Sequence, residues 1–377
     1  MDIDTFLLER NQTLFENDVD CNLTESGVHP FSIRELLPDE AIDSLLQLRL
    51  GYGYTEGRPA LREAIASWYP GAELRNVAVA HGTSEANLLS VLTVLAPGDE
   101  VLVLLPNFMQ LPGLLRAFGV HVRTHELTEA NQWQPDPVAL EASLGERTRM
   151  IALANPNNPT GQVLTPQSMQ ALVRIARSRG LYLLADEIYR GAEIDCSETP
   201  TFFGHYERVI VTSSLSKAFG LPGLRLGWIV AAPDVVNQVM RRQDYTSIGT
   251  GILSQMIAER VLRPANRVQI LERGRGVLST NVRVLEAWLQ EHCDVLSCRR
   301  PQAGAVAFVR YLFPMASEEL STGLRETESV FVVAGSWFGI DGYVRIGIGG
   351  EQNDLHTGLT RISSFLARLR HTHAVRA

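Results

Sequence analysis

Short apolar runs separated by stretches with helical spacing dominate the middle of the chain. Residues 77–108 read as strand, glycine turn, helix, turn and strand, with the helix starting near Thr83 or Ser84. Residues 149–161 read as a buried strand ending in a cluster of turn formers, and 181–191 as another ending in acid. Between these two, Thr165 before Pro166 is a helix-start signal for 165–179. Strand alternating with helix from 77 to 230 predicts an α/β fold, a mainly parallel sheet with helices on both faces.

The flanks are patterned differently. Residues 6–15 have the spacing of a short amphipathic helix anchored by Phe6, Leu7, Leu14 and Phe15. An irregular stretch rich in turn formers follows at 21–31. At 51–69 a glycine-rich loop leads into a helix with Leu61, Ile65 and Trp68 on one face. A helical region from 233 to about 290 precedes a C-terminal lobe. That lobe contains a strand hairpin turning at Gly304 and a segment, 330–350, carrying Arg345. The expected domains are an N-terminal arm with part of a small domain (1–50), a large domain (51–285) and a C-terminal small domain (286–377).

Composition narrows the class. A length of 377 residues, 45% apolar and 20% charged, suits a soluble protein with a large core and more than one lobe. The net charge of -8 argues against nucleic acid as the main partner. No apolar run approaches the length of a membrane span, and the acidic N-terminus lacks the features of a signal peptide. Cys21, Cys196, Cys293 and Cys298 have no metal-ligand spacing, which suits reduced thiols in a cytoplasmic enzyme.

One residue stands out chemically. Lys217 is the only lysine among 34 basic residues. Arginine can replace lysine wherever a solvated cation is enough. It cannot do so where an amine must lose its proton and attack a carbonyl, because guanidinium stays protonated and a buried lysine does not. Lys217 is therefore a candidate nucleophile.

The segment around it, 214–228, reads SLSKAFGLPGLRLGW and fits S-x-S-K-x-[FY]-G-L-x-G-x-R-x-G-[WY]. It resembles the lysine segment of fold-type-I pyridoxal 5'-phosphate (PLP) enzymes of the class I/II aminotransferase family. The resemblance implies that Lys217 carries the cofactor as a Schiff base while Ser214 and Arg225 bind its phosphate. Gly82, Thr83 and Ser84, at a helix start suited to an anion, complete the phosphate cup. Phe108 takes the place of the aromatic that stacks on the cofactor ring. In NPNNPTG, Asn158 matches the asparagine that donates to the cofactor's phenolic oxygen, whereas Asn155 reads as a turn residue.

In the D-E-x-Y run, Asp186 rather than Glu187 is the expected partner of the ring nitrogen. Its carboxylate keeps that nitrogen protonated. Tyr189 is expected at the phenolic oxygen. Arg345 is expected to bind a substrate α-carboxylate through its planar fork. Tyr52, with Tyr54 as the alternative, matches a tyrosine that reaches a partner subunit's cofactor phosphate. That implies a homodimer with composite sites acting on a small amino-acid substrate.

These motifs do not choose between transamination, racemisation, elimination and cyclisation. The arm does more. ERNQTLF, SGVH and RRQDY, taken with the lysine segment, resemble the arginine cyclases typified by capreomycidine synthase. The resemblance implies cyclisation of a hydroxylated L-arginine to a capreomycidine- or enduracididine-type amino acid. The ordinary aminotransferase form of NPNNPTG lends that no support, and plain transamination is the alternative. A guanidinium substrate wants a carboxylate, for which Glu9 is the candidate, and a leaving hydroxyl wants a proton donor, for which Lys217 is. Ser26 and His29 are candidates for orienting the substrate. A ligand-sensing DNA-binding regulator is disfavoured by the acidic charge and the lack of a helix-turn-helix extension.

Overall fold

The computed structural model describes residues 3–195 and 197–376, with side chains to residue 371. The chain opens with helix α1, Leu7–Phe15, and a two-residue strand β1, Cys21–Asn22. Seven strands then form the main sheet: β2 (Val77–Ala80), β3 (Glu100–Leu105), β4 (His121–Glu126), β5 (Thr148–Ala154), β6 (Tyr182–Asp186), β7 (Val209–Ser214) and β8 (Gly227–Val230). Their order is β2-β8-β7-β6-β5-β3-β4. Every neighbouring pair is parallel except the two that β8 makes.

The near-continuous apolar runs have a simple cause. Successive strand residues face opposite sides, and both sides of this sheet are covered. Val101, Val103, Met150, Ala152, Leu184, Ile210 and Ile229 enter one core. Leu102, Leu104, Ile151, Leu153, Leu183, Val211 and Trp228 enter the other. The helix predicted over 165–179 runs Pro166–Arg179, capped by Thr165 through the Ser168 N–H and ended by Gly180 in the left-handed conformation.

The smaller lobe draws on both chain ends. Strands β9 (Leu296–Cys298), β10 (Val306–Tyr311), β12 (Val333–Ala334) and β13 (Tyr343–Gly347) form an antiparallel sheet ordered β12-β13-β10-β9. Strand β11 (Val330–Phe331) pairs in parallel with β1, so residues near the N-terminus join residues 309 positions away. The hairpin expected around Gly304 is present as β9 and β10. In α1, Leu8 is the buried anchor and Phe6 and Phe15 pack on the core, while Leu7 and Leu14 are exposed. The expected anchors Leu7 and Leu14 are thus corrected: the helix is rotated so that its inner face presents Leu8 and polar groups toward a cleft.

Cys21, Cys293 and Cys298 are free thiols, and Cys196 lies outside the described residues. Among the described residues, no helix is long and apolar enough to cross a membrane.

Candidate active site

The carboxyl ends of β5, β6 and β7 and the start of the helix Gly82–Val94 converge on a cleft of about 420 Å³. This is where open α/β sheets place ligands. Helix α1, the loop at 23–28 and β13 of the smaller lobe close its other sides.

One end is built for an anion. The helix Gly82–Val94 begins at Gly82, one residue earlier than expected, and Gly82 has φ +70°. A Cβ there would lie 2.8 Å from Arg225 Nη2, so only glycine lets the guanidinium approach the helix start. Thr83 Oγ1 is buried with no hydrogen-bond partner among the described residues, and Thr83 and Ser84 line the cleft. Arg225 Nη1 donates to Ser216 Oγ at 3.4 Å and to the Pro222 carbonyl at 3.1 Å. Ser214 is fully buried, its Oγ accepting from the Ser216 N–H at 3.2 Å. Ser216 is on the cleft wall, and Ser214 holds the turn beneath it.

At the floor, Asp186 ends β6. Its Oδ1 accepts from the Ile188 N–H at 3.1 Å, and its Oδ2 from Asn87 Nδ2 at 3.3 Å. Burial pushes this carboxyl up to about 6, against those two hydrogen bonds. Asn87 is oriented in turn by Thr212, whose hydroxyl donates to its Oδ1 at 2.8 Å. Glu187 points away: its Oε1 accepts from the Phe202 N–H at 2.7 Å and from Thr201 at 3.0 Å. The two neighbouring acids point to opposite sides, so that of the pair only Asp186 lines the cleft.

Tyr189 is buried on the cleft wall, hydrogen-bonded to Ser26, with its phenol held above the ordinary value by burial. Asn158 Oδ1 accepts from Arg345 Nη1 at 2.9 Å. Arg345 is almost wholly buried, and its Nη2 donates to the Thr24 carbonyl at 2.6 Å. Its Nε has no partner among the described residues. Asn155 is buried and structural, its Oδ1 accepting from the Leu164 N–H.

Lys217 enters from the turn after β7. Its Nζ donates to Glu25 Oε1 at 2.8 Å. Burial draws the amine down, but Glu25 and then Tyr189 more than offset this, so it stands above the ordinary lysine value. The sequence pointed to a depressed amine, because burial alone acts that way and nothing in it marked Glu25 as a neighbour.

The arm forms the lid. Phe6 packs edge-on against Phe108, with ring centroids 4.9 Å apart. Phe108 lies past the end of β3, in the loop before the helix Gln110–Ala117, rather than closing the strand. Glu9, Gln12 and Thr13 on one face of α1, and Glu16 just past its end, line the cleft. Burial raises the Glu9 carboxyl, opposed by Lys217 and Arg345. Ser26 is at the cleft, but His29 is not. The His29 ring faces Glu351 at 3.5 Å, and its backbone is tied to the Gly349 carbonyl and the Arg273 guanidinium. His29 is therefore corrected as a substrate-orienting candidate. Tyr52 is 92% exposed in the single chain and lies away from the cleft that chain forms.

Glu25 and Asn87 went unrecognised in the sequence. Asn87 had a signal: it sits one helical turn after Thr83 and faces the same way. Glu25 had none, since its partner is 192 residues away.

Residues 26–362 match the aminotransferase class I and II family. The chain belongs to that family. It is 31% identical over 360 residues to capreomycidine synthase from Streptomyces vinaceus, covering 94% of this chain and 90% of that one. Its fold superposes on a PLP-dependent aminotransferase from Streptococcus suis with TM-score 0.93 and 32% identity, covering 98% and 99% of the two chains. It superposes on the PLP-dependent cyclase OrfR with TM-score 0.89 and 27% identity over 98% of each. Family membership carries pyridoxal 5'-phosphate as the cofactor, and the side chains fit it. An orphaned threonine hydroxyl lies at a helix start that Arg225 approaches, the Asp186 carboxyl lines the same cleft, and so does the chain's single lysine.

Proposed function

We propose that this aminotransferase-family member cyclises a hydroxylated L-arginine, losing the side-chain hydroxyl as water and closing a ring through a guanidine nitrogen. The observation that carries this reading is the acidic lid. Glu9 on α1, Glu16 just past its end and Glu25 on the adjoining loop line the same cleft as Lys217 and Arg345. A guanidinium-bearing amino acid presents an α-carboxylate for Arg345 and a cation for this acidic side. The likeness to capreomycidine synthase and to the cyclase OrfR agrees with it.

In this reading, Thr83, Ser84, Ser216 and Arg225 hold the cofactor phosphate, Asp186 faces the ring nitrogen, and Asn158 and Tyr189 face the phenolic oxygen. The cofactor, when bound, supplies an electron sink for the pair left at Cα. Arg345 holds the α-carboxylate. Lys217, once free, takes the Cα proton and gives a proton to the departing hydroxyl. Glu9 holds the guanidinium toward the carbon that loses it. The C–O bond breaks, a C–N bond forms, and the proton shed by the attacking nitrogen returns to Cα, so the net change is loss of one water. The active unit is a homodimer in which Tyr52 reaches the partner's phosphate site.

Incubation with β- and γ-hydroxyarginine, followed by mass spectrometry, tests this. Loss of water without loss of nitrogen is the expected result. A second reading, transamination, is favoured by the run Asn155–Gly161, which has the ordinary aminotransferase form. Sustained keto-acid formation from an amino donor and 2-oxoglutarate would select it instead.

A further inference from the structure

We propose that Glu25 is the charge partner Lys217 gives up when the cofactor loads, and that the freed carboxylate then takes the cationic end of the substrate. This rests on the reading of a cationic side chain, but not on ring closure.

Glu25 is a built feature and not a loose surface acid. Its Oε1 accepts from the Ser26 N–H at 2.9 Å and the Gly27 N–H at 2.6 Å, in addition to Lys217 Nζ. A Cβ on Gly27 would lie 3.0 Å from both Glu25 Oε1 and the Ser216 carbonyl, so glycine lets this loop lie close against the lysine turn. The two backbone donors keep the carboxylate in place after the amine leaves. Lys217 holds the carboxyl down to about 2, despite burial acting the other way. The side chain is about half exposed in the single chain, so it faces the open part of the cleft.

The charges of the cleft then point to the substrate class. Arg225 and the helix start face a phosphate, Asp186 faces a ring nitrogen, and Arg345 faces an α-carboxylate. Were the Lys217 nitrogen taken up by the cofactor, Glu25 would lose the free ammonium that now donates to it. Glu9, whose carboxyl Glu25 already pushes up, stands nearby. A neutral substrate side chain leaves these two acids facing each other. A guanidinium, planar with five donors, can answer both.

Two measurements test this. Lys217 is the only lysine, so ¹³C reductive methylation of cofactor-free protein gives one side-chain amine signal to titrate by NMR. The charged or titratable groups facing it are Glu25, Tyr189, Arg345 and Glu9. The amine should titrate above the ordinary lysine value in the parent and lower in Glu25→Gln, with Glu25→Asp between them. In the loaded enzyme, binding of L-arginine and its neutral isostere L-citrulline is followed by the visible spectrum. Glu25→Gln should weaken arginine about tenfold or more while changing citrulline little, as expected for loss of a charged hydrogen bond. If Glu25→Gln leaves either the amine titration or the arginine preference unchanged, the assignment is wrong. Neither readout involves cyclisation, so the two readings fail separately.

Discussion

At the scale of single residues, Asp186 and Lys217 set the chemistry, and each makes a measurable prediction. Without cofactor, Asp186 is a buried acid whose pKa is about 6 in the folded state, above the ordinary aspartate value. The folded protein then binds a proton that the unfolded chain has already lost between the two values, so this residue's contribution to stability falls as pH rises toward 6. Melting of cofactor-free protein should therefore show Asp186→Asn gaining on the parent from pH 4 to 6.5. A gap that does not change with pH would contradict this. In the loaded enzyme the same substitution should lower turnover on the order of a hundredfold, the usual scale for removing a preorganised charge from a reacting centre. Lys217 makes the second prediction. Borohydride reduction of holoenzyme should leave one pyridoxyl adduct, at position 217, and reduced Lys217→Arg should release all of its cofactor on denaturation, because guanidinium does not give up its proton to form the covalent link. A pyridoxyl adduct that survives denaturation in reduced Lys217→Arg would sink the nucleophile assignment.

At the scale of elements, α1 is what sets this cleft apart from a bare cofactor site. It is nine residues long, too short to persist alone, so it is held by Leu8 in the core and by Phe6 against Phe108. That clamp brings Glu9 over the cleft. Glu9→Gln should raise KM for a hydroxyarginine about tenfold or more, with a smaller effect on kcat, because it removes a charged contact to a part of the substrate that does not react. An unchanged KM would remove Glu9 from recognition and leave the lid's acidity to Glu25 and Glu16. The helix period correctly placed an amphipathic segment here, but it named Leu7 and Leu14 as anchors. Both are exposed, because the inner face of α1 is largely polar and lines a cavity, so the apolar stripe does not mark the buried side.

At the scale of the whole molecule, the main sheet and its cofactor end were legible because they follow local rules. Strands apolar on both faces declare a covered sheet, and the residues at their carboxyl ends fall in one cleft. Contacts that depend on distant segments meeting were not legible. Glu25 reaches Lys217, and Thr24 reaches Arg345, only because strand β1 pairs with β11 and carries the N-terminal loop across the cleft. The same holds for what a second copy would bring. Tyr52 is 92% exposed in a single chain, and Tyr54, Tyr245, Ile248 and Leu253 are exposed apolar residues on segments around it. If Tyr52 serves the partner's cofactor, a dimer has two sites, each built from both chains. Lys217→Ala and Tyr52→Ala homodimers should then both be impaired, the first completely. Mixed, unfolded and reassembled together, half the dimers are hybrids in which one site carries both lesions and the other carries neither. Random pairing should therefore restore about a quarter of parental turnover, well above the sum of the two parents. If the mixture shows only that sum, each site is complete within its own chain and Tyr52 has no part in it.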